Sequence, residues 1–184
     1  MATGLDALRA ALVGYRRRWP AEATTIDHFE ALLLEGSPGF GRERLAGHFT
    51  ASAWLVSQCG RRVLMTHHRK LGRWLQLGGH ADGDRDLAQV ALREAQEESG
   101  LPGLVVDREL FDLDRHWIPE RSDVPGHWHY DARYVVTAGP DERYSVSEES
   151  IDLAWVDIDT LSAVANPDES VRRMALKWKA IRPA

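Results

Sequence analysis

Gly79-His80-Ala81-Asp82-Gly83-Asp84-Arg85-Asp86-Leu87-Ala88-Gln89-Val90-Ala91-Leu92-Arg93-Glu94-Ala95-Gln96-Glu97-Glu98-Ser99-Gly100-Leu101 is the stretch on which the reading of this chain turns. From Asp86 to Ser99 it is rich in Ala, Gln, Glu, Leu and Arg, all favoured or tolerated in helices, and Gly100 is a natural C′ stop. Leu87, Val90, Ala91, Glu94, Glu97, Glu98 and Leu101 recur at steps of three and four, so they share one side of that helix. An apolar row thus gives way to carboxylates before it returns to leucine. Carboxylates so spaced repel one another by roughly a few tenths of a kcal/mol per pair, and near a helix C-terminus they also oppose the macrodipole. A divalent cation reverses both signs, and oxygen-only donors suit Mg²⁺ or Mn²⁺. A solvated acidic face is the plain alternative for any Glu-x-x-Glu-Glu. The Gly78-Gly79 pair ahead of the helix sets this case apart, because Gly79 permits close backbone approach and its carbonyl can complete a cation site.

With that spacing the segment resembles the signature of the Nudix (MutT-like) hydrolase family. The signature runs Gly, five residues, Glu, seven residues, Arg-Glu-aliphatic, any residue, Glu-Glu, any residue, Gly-aliphatic. Gly79, Arg93, Glu94, Ala95, Glu97, Glu98, Gly100 and Leu101 match it, and Arg85 stands where the first Glu is expected. The resemblance implies an α/β (α+β) fold in which helices sandwich a mixed β-sheet, covering about His48 to Thr160. It implies a pyrophosphohydrolase that cleaves a diphosphate joined to another moiety, by metal-activated water. Glu94, Glu97 and Glu98 would hold Mg²⁺ or Mn²⁺ with help from the Gly79 carbonyl, and Arg93 would orient a carboxylate by ion pairing. Arg85 removes one outer carboxylate, for which Asp82, Asp84 or Asp86 are the available substitutes. The family's general base is a box glutamate or an acidic residue from a later loop, which points to Glu148 and Glu149.

Working outward, Thr3 with Asp6 reads as a capping pair, Leu5, Leu8, Leu12 and Tyr15 follow a helical stripe, and a second helix is expected from Ile26 to Glu35. These two are read as an N-terminal helical extension, residues 1–46, on a main domain of 47–184. Strands are expected at Ala51 to Ser57 and Arg62 to Thr66, joined around Cys59-Gly60, with a short one at Trp74 to Leu77. Further strands are expected at Leu104 to Asp112, Tyr130 to Thr137 and Leu153 to Val156. Pro119, Pro125 and Gly126 mark His116 to His127 as a loop. A last helix is signalled by Asn166 as cap and Pro167 in its first turn, with Asp168 and Glu169 beside them. Arg69, Lys70 and Arg73, between a strand and the glycines, are candidates to meet substrate phosphates.

The histidines form a second set. His127-x-His129 at strand spacing puts two imidazoles on one face, able to chelate a transition metal. His48 opens the first strand and His80 follows the glycines. Gly47-His48-Phe49-Thr50-Ala51-Ser52-Ala53-Trp54 and Gly79-His80 also resemble segments of isopentenyl-diphosphate isomerases, which share the fold and bind a metal through histidines near these positions. A separate site of His48, His80, His127 and His129 follows from that resemblance. Isomerase activity itself is disfavoured, since Gly78 occupies the place of the cysteine those enzymes use. A non-catalytic ligand sensor is the other alternative, and the intact Glu94, Glu97 and Glu98 argue against it. Asp131 and Arg133 alternate with His129 and suggest a buried or site-facing network. Trp117, Trp128 and Trp155 are candidates for stacking on a base, or for packing.

Composition bounds the rest. The net charge of −5, without a basic stripe, argues against a nucleic-acid polymer as partner and leaves a small-molecule pyrophosphate, of which a nucleoside diphosphate-linked compound is the leading type. The single Cys59 excludes an intrachain disulfide and a cysteine-based zinc cluster, in keeping with a cytoplasmic setting. No apolar run suffices for a membrane span, and Asp6 and Arg9 interrupt what would be the core of a signal peptide. A homodimer is compatible with all of this. No Gly-x-Ser-x-Gly elbow or Walker loop competes.

Overall fold

A computed structural model of the chain describes residues 4–121, 124–148, 150–161 and 168–182. Helices α1 (Gly4–Arg18) and α2 (Ala23–Leu34) lead into β1 (Gly47–Val56) and β2 (Arg62–His68). The expected strand at Trp74 to Leu77 is two, β3 (Arg73–Leu75) and β4 (Leu77–His80), which pair with different neighbours. Helix α3 (Leu87–Ser99) follows, then β5 (Val105–Ile118), β6 (His127–Thr137), β7 (Ser150–Asp157), α4 (Ile158–Leu161) and α5 (Glu169–Ile181).

Helix α3 starts and stops as its residues dictate. The Asp86 side chain accepts from the Gln89 N–H, and Gly100 takes the left-handed conformation with its N–H on the Gln96 carbonyl. For α5 the observed cap is Asp168, whose side chain accepts from the Ser170 N–H, and Asn166 and Pro167 lie outside the described residues. The expected loop from His116 to His127 is shorter than read. β5 and β6 pair out to Ile118 and His127, with Trp117 and Trp128 opposite one another as a cross-strand aromatic pair.

The seven strands form one mixed sheet, ordered β3-β2-β1-β6-β5, with β4 also on β1 and β7 on β2. β1 and β6 run parallel through ten paired positions, from Gly47↔Trp128 to Val56↔Thr137, while the other pairings are antiparallel. Strand alternation gives the two faces different covers. Phe49 and Ala51 pack with Val90 and Ala91 of α3 and with Leu12, Tyr15, Ile26 and Phe29 of the N-terminal helices. Trp54, Val56 and Val135 point the other way, onto Val171, Met174 and Ala175 of α5. That second face changes character along its length. Towards the start of β1 it carries His48, Thr50 and Ser52 instead, opposite His129, Asp131 and Arg133 of β6.

Candidate functional site

Glycine at 78 and 79 lets β4 run directly under helix α3. A Cβ on Gly79 would lie 2.3 Å from Oε2 of Glu94, and one on Gly78 would lie 2.3 Å from the Ser52 hydroxyl oxygen. Any side chain there would displace the carboxylate or the strand. Glu98 is buried and its Oε1 accepts the Gly78 N–H at 2.7 Å, so one box glutamate fixes the turn that the other touches. Glu97 is exposed, and Glu94 is partly buried. Arg93 donates to Glu94 Oε1 at 3.2 Å and to the His80 carbonyl at 3.4 Å, tying the helix to the end of β4.

The acidic residues of the preceding loop are engaged elsewhere. Asp82, in the left-handed region at φ 51°, forms a two-point ion pair with Arg42 at 2.6 Å, which holds its carboxyl below the usual range. Asp86 caps α3 and pairs with Arg108, and Asp84 accepts the Asp86 N–H with Arg93 3.9 Å away. Arg85 is exposed, donates to the Ser37 hydroxyl and lines a cavity of about 340 Å³ against α1.

Of the basic residues ahead of the glycines, Arg69 donates to the carbonyls of Glu148 and Ser150, which brings it beside the exposed Glu148. Glu149 lies outside the described residues. The loop that carries Glu148 is docked at the end of α3, because the Ser145 N–H bonds to the Ser99 carbonyl at 2.8 Å. Arg73 pairs with Asp168 at 3.2 Å, and Lys70 is exposed. Trp155 is held by the Glu142 carbonyl as a packing residue, whereas Trp117 is half exposed and Trp128 lies under the Arg115 guanidinium at 3.6 Å.

Register brings four histidines together on the other face. His48 pairs with His129, and Thr50, two residues on, pairs with His80. Among the described residues, His48, His80 and His129 are the group of three potential metal ligands whose donor atoms all lie within 4.8 Å of one another; the box glutamates form no such group. His127 joins them, its Nε2 3.2 Å from Nε2 of His129 and its Nδ1 on the Pro125 carbonyl at 2.8 Å. Burial keeps His80 and His129 neutral: desolvation, then the Arg42 charge, lowers His80 to about 4, and desolvation with the neighbouring histidines lowers His129 to about 2.

Below the histidines lies an ionic cluster that the sequence only half announced. Arg133 is 2% exposed and meets Asp131 at 2.8 Å, Asp112 at 3.2 Å and Asp114 at 3.3 Å. Asp131 also accepts from the Thr50 and Ser52 hydroxyls at 2.9 Å. Asp112, fully buried, takes Arg173 and Lys177 of α5 as further partners. Asp114 carries the chain to His116, 2.9 Å away. Sequence reasoning misses Asp112, Asp114, Thr50 and Ser52; the available signal is the short polar alternation His48, Thr50, Ser52 in β1 and Asp112, Asp114, His116 in β5.

The family model described as NUDIX domain matches residues 47–178. The search of curated proteins finds no match. Among solved structures, a Nudix-family hydrolase from Clostridium perfringens is similar at 22% identity and TM-score 0.55, over 73% of this chain and 98% of that one. The MutT protein of Methanosarcina mazei Go1 is similar at 17% and 0.58, over 74% and 96%. A C. elegans Ap4A hydrolase is similar at 17% and 0.56, over 72% and 95%. At such identities the likeness shows the shared fold.

Proposed function

The chain belongs to the Nudix family of hydrolases, and on that premise we propose that it hydrolyses a nucleoside diphosphate-linked or related organic pyrophosphate with Mg²⁺ or Mn²⁺. One observation carries the reading: the helix that bears Glu94, Glu97 and Glu98 is pressed against Gly78-Gly79, with Glu98 bonded to the Gly78 N–H and the Glu94 carboxylate against Gly79. This donor set fits a hard divalent cation, since it is all oxygen and the facing backbone leaves no side chain in the way. Glu94 and Glu98, with Glu97 beside them and the Gly79 carbonyl, would hold the ion. When bound, such an ion neutralises the diphosphate and acidifies an attacking water.

The chain's own residues do the rest. Arg93 fixes Glu94 through the 3.2 Å contact and anchors it to β4 through the His80 carbonyl. Glu148 and Glu149 are proposed to take the proton from water, and Arg69's bonds to the Glu148 and Ser150 carbonyls support a role in placing that loop. Lys70 and Arg73 are proposed phosphate contacts, Arg73 by exchanging its pair with Asp168. The imidazoles stand outside this reaction, because their nitrogen donors select a different class of metal. No helix among the described residues is long and apolar enough to cross a membrane. A small soluble substrate is the proposed partner.

The test is a phosphate-release screen over pyrophosphate compounds with Mg²⁺ and with Mn²⁺, beside a Glu97→Gln, Glu98→Gln variant. Hydrolysis that disappears in the variant is expected. Activity that survives both substitutions overturns the assignment, and tight ligand binding without turnover favours a sensor.

A further inference from the structure

We propose that His48, His80, His129 and His127 form a nitrogen-only site for one divalent transition metal, separate from the carboxylate site and on the other face of the sheet. Geometry is the first support. Metal–imidazole bonds of about 2.1 Å put ring centroids roughly 5.2 Å apart around a tetrahedral ion. The observed centroid separations are 5.2 Å for His48–His80, 5.1 Å for His48–His127, 5.1 Å for His48–His129, 5.0 Å for His80–His129 and 5.0 Å for His127–His129. His48, His80 and His129 already stand as three ligands of one ion would, and His127 adjoins two of them, His48 and His129, as the fourth.

The second support is independent of spacing. His48 is 3% exposed, its Nδ1 faces the Arg44 carbonyl at 3.5 Å, and its Nε2 is buried with no hydrogen-bond partner. A buried nitrogen left bare costs about 1–3 kcal/mol of lost hydration, and a bound cation removes that cost. His127 is oriented in the same sense, with Nδ1 on the Pro125 carbonyl and Nε2 turned inward to His129. A hydrogen bond on the outer nitrogen, with the other turned inward, is how ligating histidines are held.

Donor type sets the ion. Imidazole suits Zn²⁺, Fe²⁺, Ni²⁺ and Cu²⁺, whereas Mg²⁺ and Ca²⁺ require oxygen. The ligands come from the starts of β1 and β6 and from the last residue of β4, so the ion ties together strand ends that are remote in sequence. Because His80 directly follows Gly78-Gly79, and its carbonyl meets Arg93, the same ion braces the turn on which the carboxylate site rests.

Chelator-treated protein should be titrated with Co²⁺ in excess Mg²⁺, which saturates the oxygen site, and followed by visible absorption. One Co²⁺ per chain with an intense tetrahedral band is expected. His80→Gln and His129→Gln should weaken binding by at least about 100-fold, while Glu97→Gln, Glu98→Gln leaves it unchanged. Cobalt binding that follows the glutamates, or that Mg²⁺ abolishes, overturns the site. Should the histidine variants fail to fold, X-ray absorption of the Zn²⁺-loaded wild type decides: an imidazole-nitrogen shell supports the site, and an oxygen shell refutes it.

Discussion

Replacing Asp112 by asparagine keeps the shape of the side chain and removes a charge from a fully buried position. Its Oδ1 accepts from Lys177 Nζ at 2.7 Å and Arg173 Nε at 2.9 Å; its Oδ2 accepts from Arg173 Nη2 at 2.8 Å and Arg133 Nη1 at 3.2 Å. An amide in its place loses the charge and turns an N–H towards a donor. Breaking a buried ion pair by removing one partner costs about 3–5 kcal/mol. The lower end applies, because none of the cations is stranded. Arg133 keeps Asp131 and Asp114, Arg173 keeps Asp114, and Lys177 keeps Glu22 at 2.6 Å. About 3 kcal/mol in a chain of this size lowers Tm by roughly 6–12 °C. The assay is thermal unfolding followed by far-ultraviolet circular dichroism, with Asp27→Asn as control, since that exposed partner of Arg16 is screened by solvent. A loss no greater than the control's would refute the weight placed on the cluster. The same cluster fastens the N-terminal helices, which we propose as an extension over 1–46 to a main domain of 47–184. Tyr15 of α1 meets Lys177, Glu22 and the Leu113 N–H, so its hydroxyl joins α1 to α5 and to β5.

Three other outcomes are expected. Gly79→Ala places a Cβ 2.3 Å from Glu94 Oε2, so kcat on any hydrolysed substrate should fall at least about tenfold, as a displaced ligand requires, with Tm shifted little; kinetics within twofold of wild type would remove Glu94 from the site. Acid should unfold the protein by way of Asp112. Burial raises its pKa, but Arg173, Arg133 and Lys177 outweigh burial and hold it below the ordinary value. Its contribution is therefore complete above an unfolded pKa of about 3.9 and is lost as pH falls from there through the lower folded value. Arg173→Met should move the acid-unfolding midpoint upward in a pH titration at fixed temperature, and an unchanged midpoint would contradict the pairing. Cys59 is exposed, and the Ser57 hydroxyl with Arg61 lowers its thiol to about 7, so iodoacetamide should reach half its maximal rate near that pH; a profile centred near the free-thiol value of about 8.5 would deny the effect.

Helix α3 was legible because everything that specifies it is local. The period of its apolar row, the Asp86 cap and the left-handed Gly100 all lie within one short segment. The histidine group shows where local reading stops. His127 and His129 announce themselves as a pair on one strand, but their meeting with His48 and His80 depends on the parallel register of β1 with β6 and the antiparallel register of β1 with β4. A slip of one residue in either pairing would send the rings to the opposite face. Asp112 is not legible for a related reason. It follows shifts in register between Val106, Leu110 and Asp112, so simple alternation does not predict which way it points. Pro119 and Gly126 suggested a long loop, and the Trp117–Trp128 pair, visible only once the strands are aligned, extends the hairpin past that point. The two sites differ accordingly in what a substitution can reveal. A change in the α3 carboxylates tests chemistry on a helix that the local sequence already specifies, whereas a change in the histidines or in Asp112 also tests the strand register that brings them together.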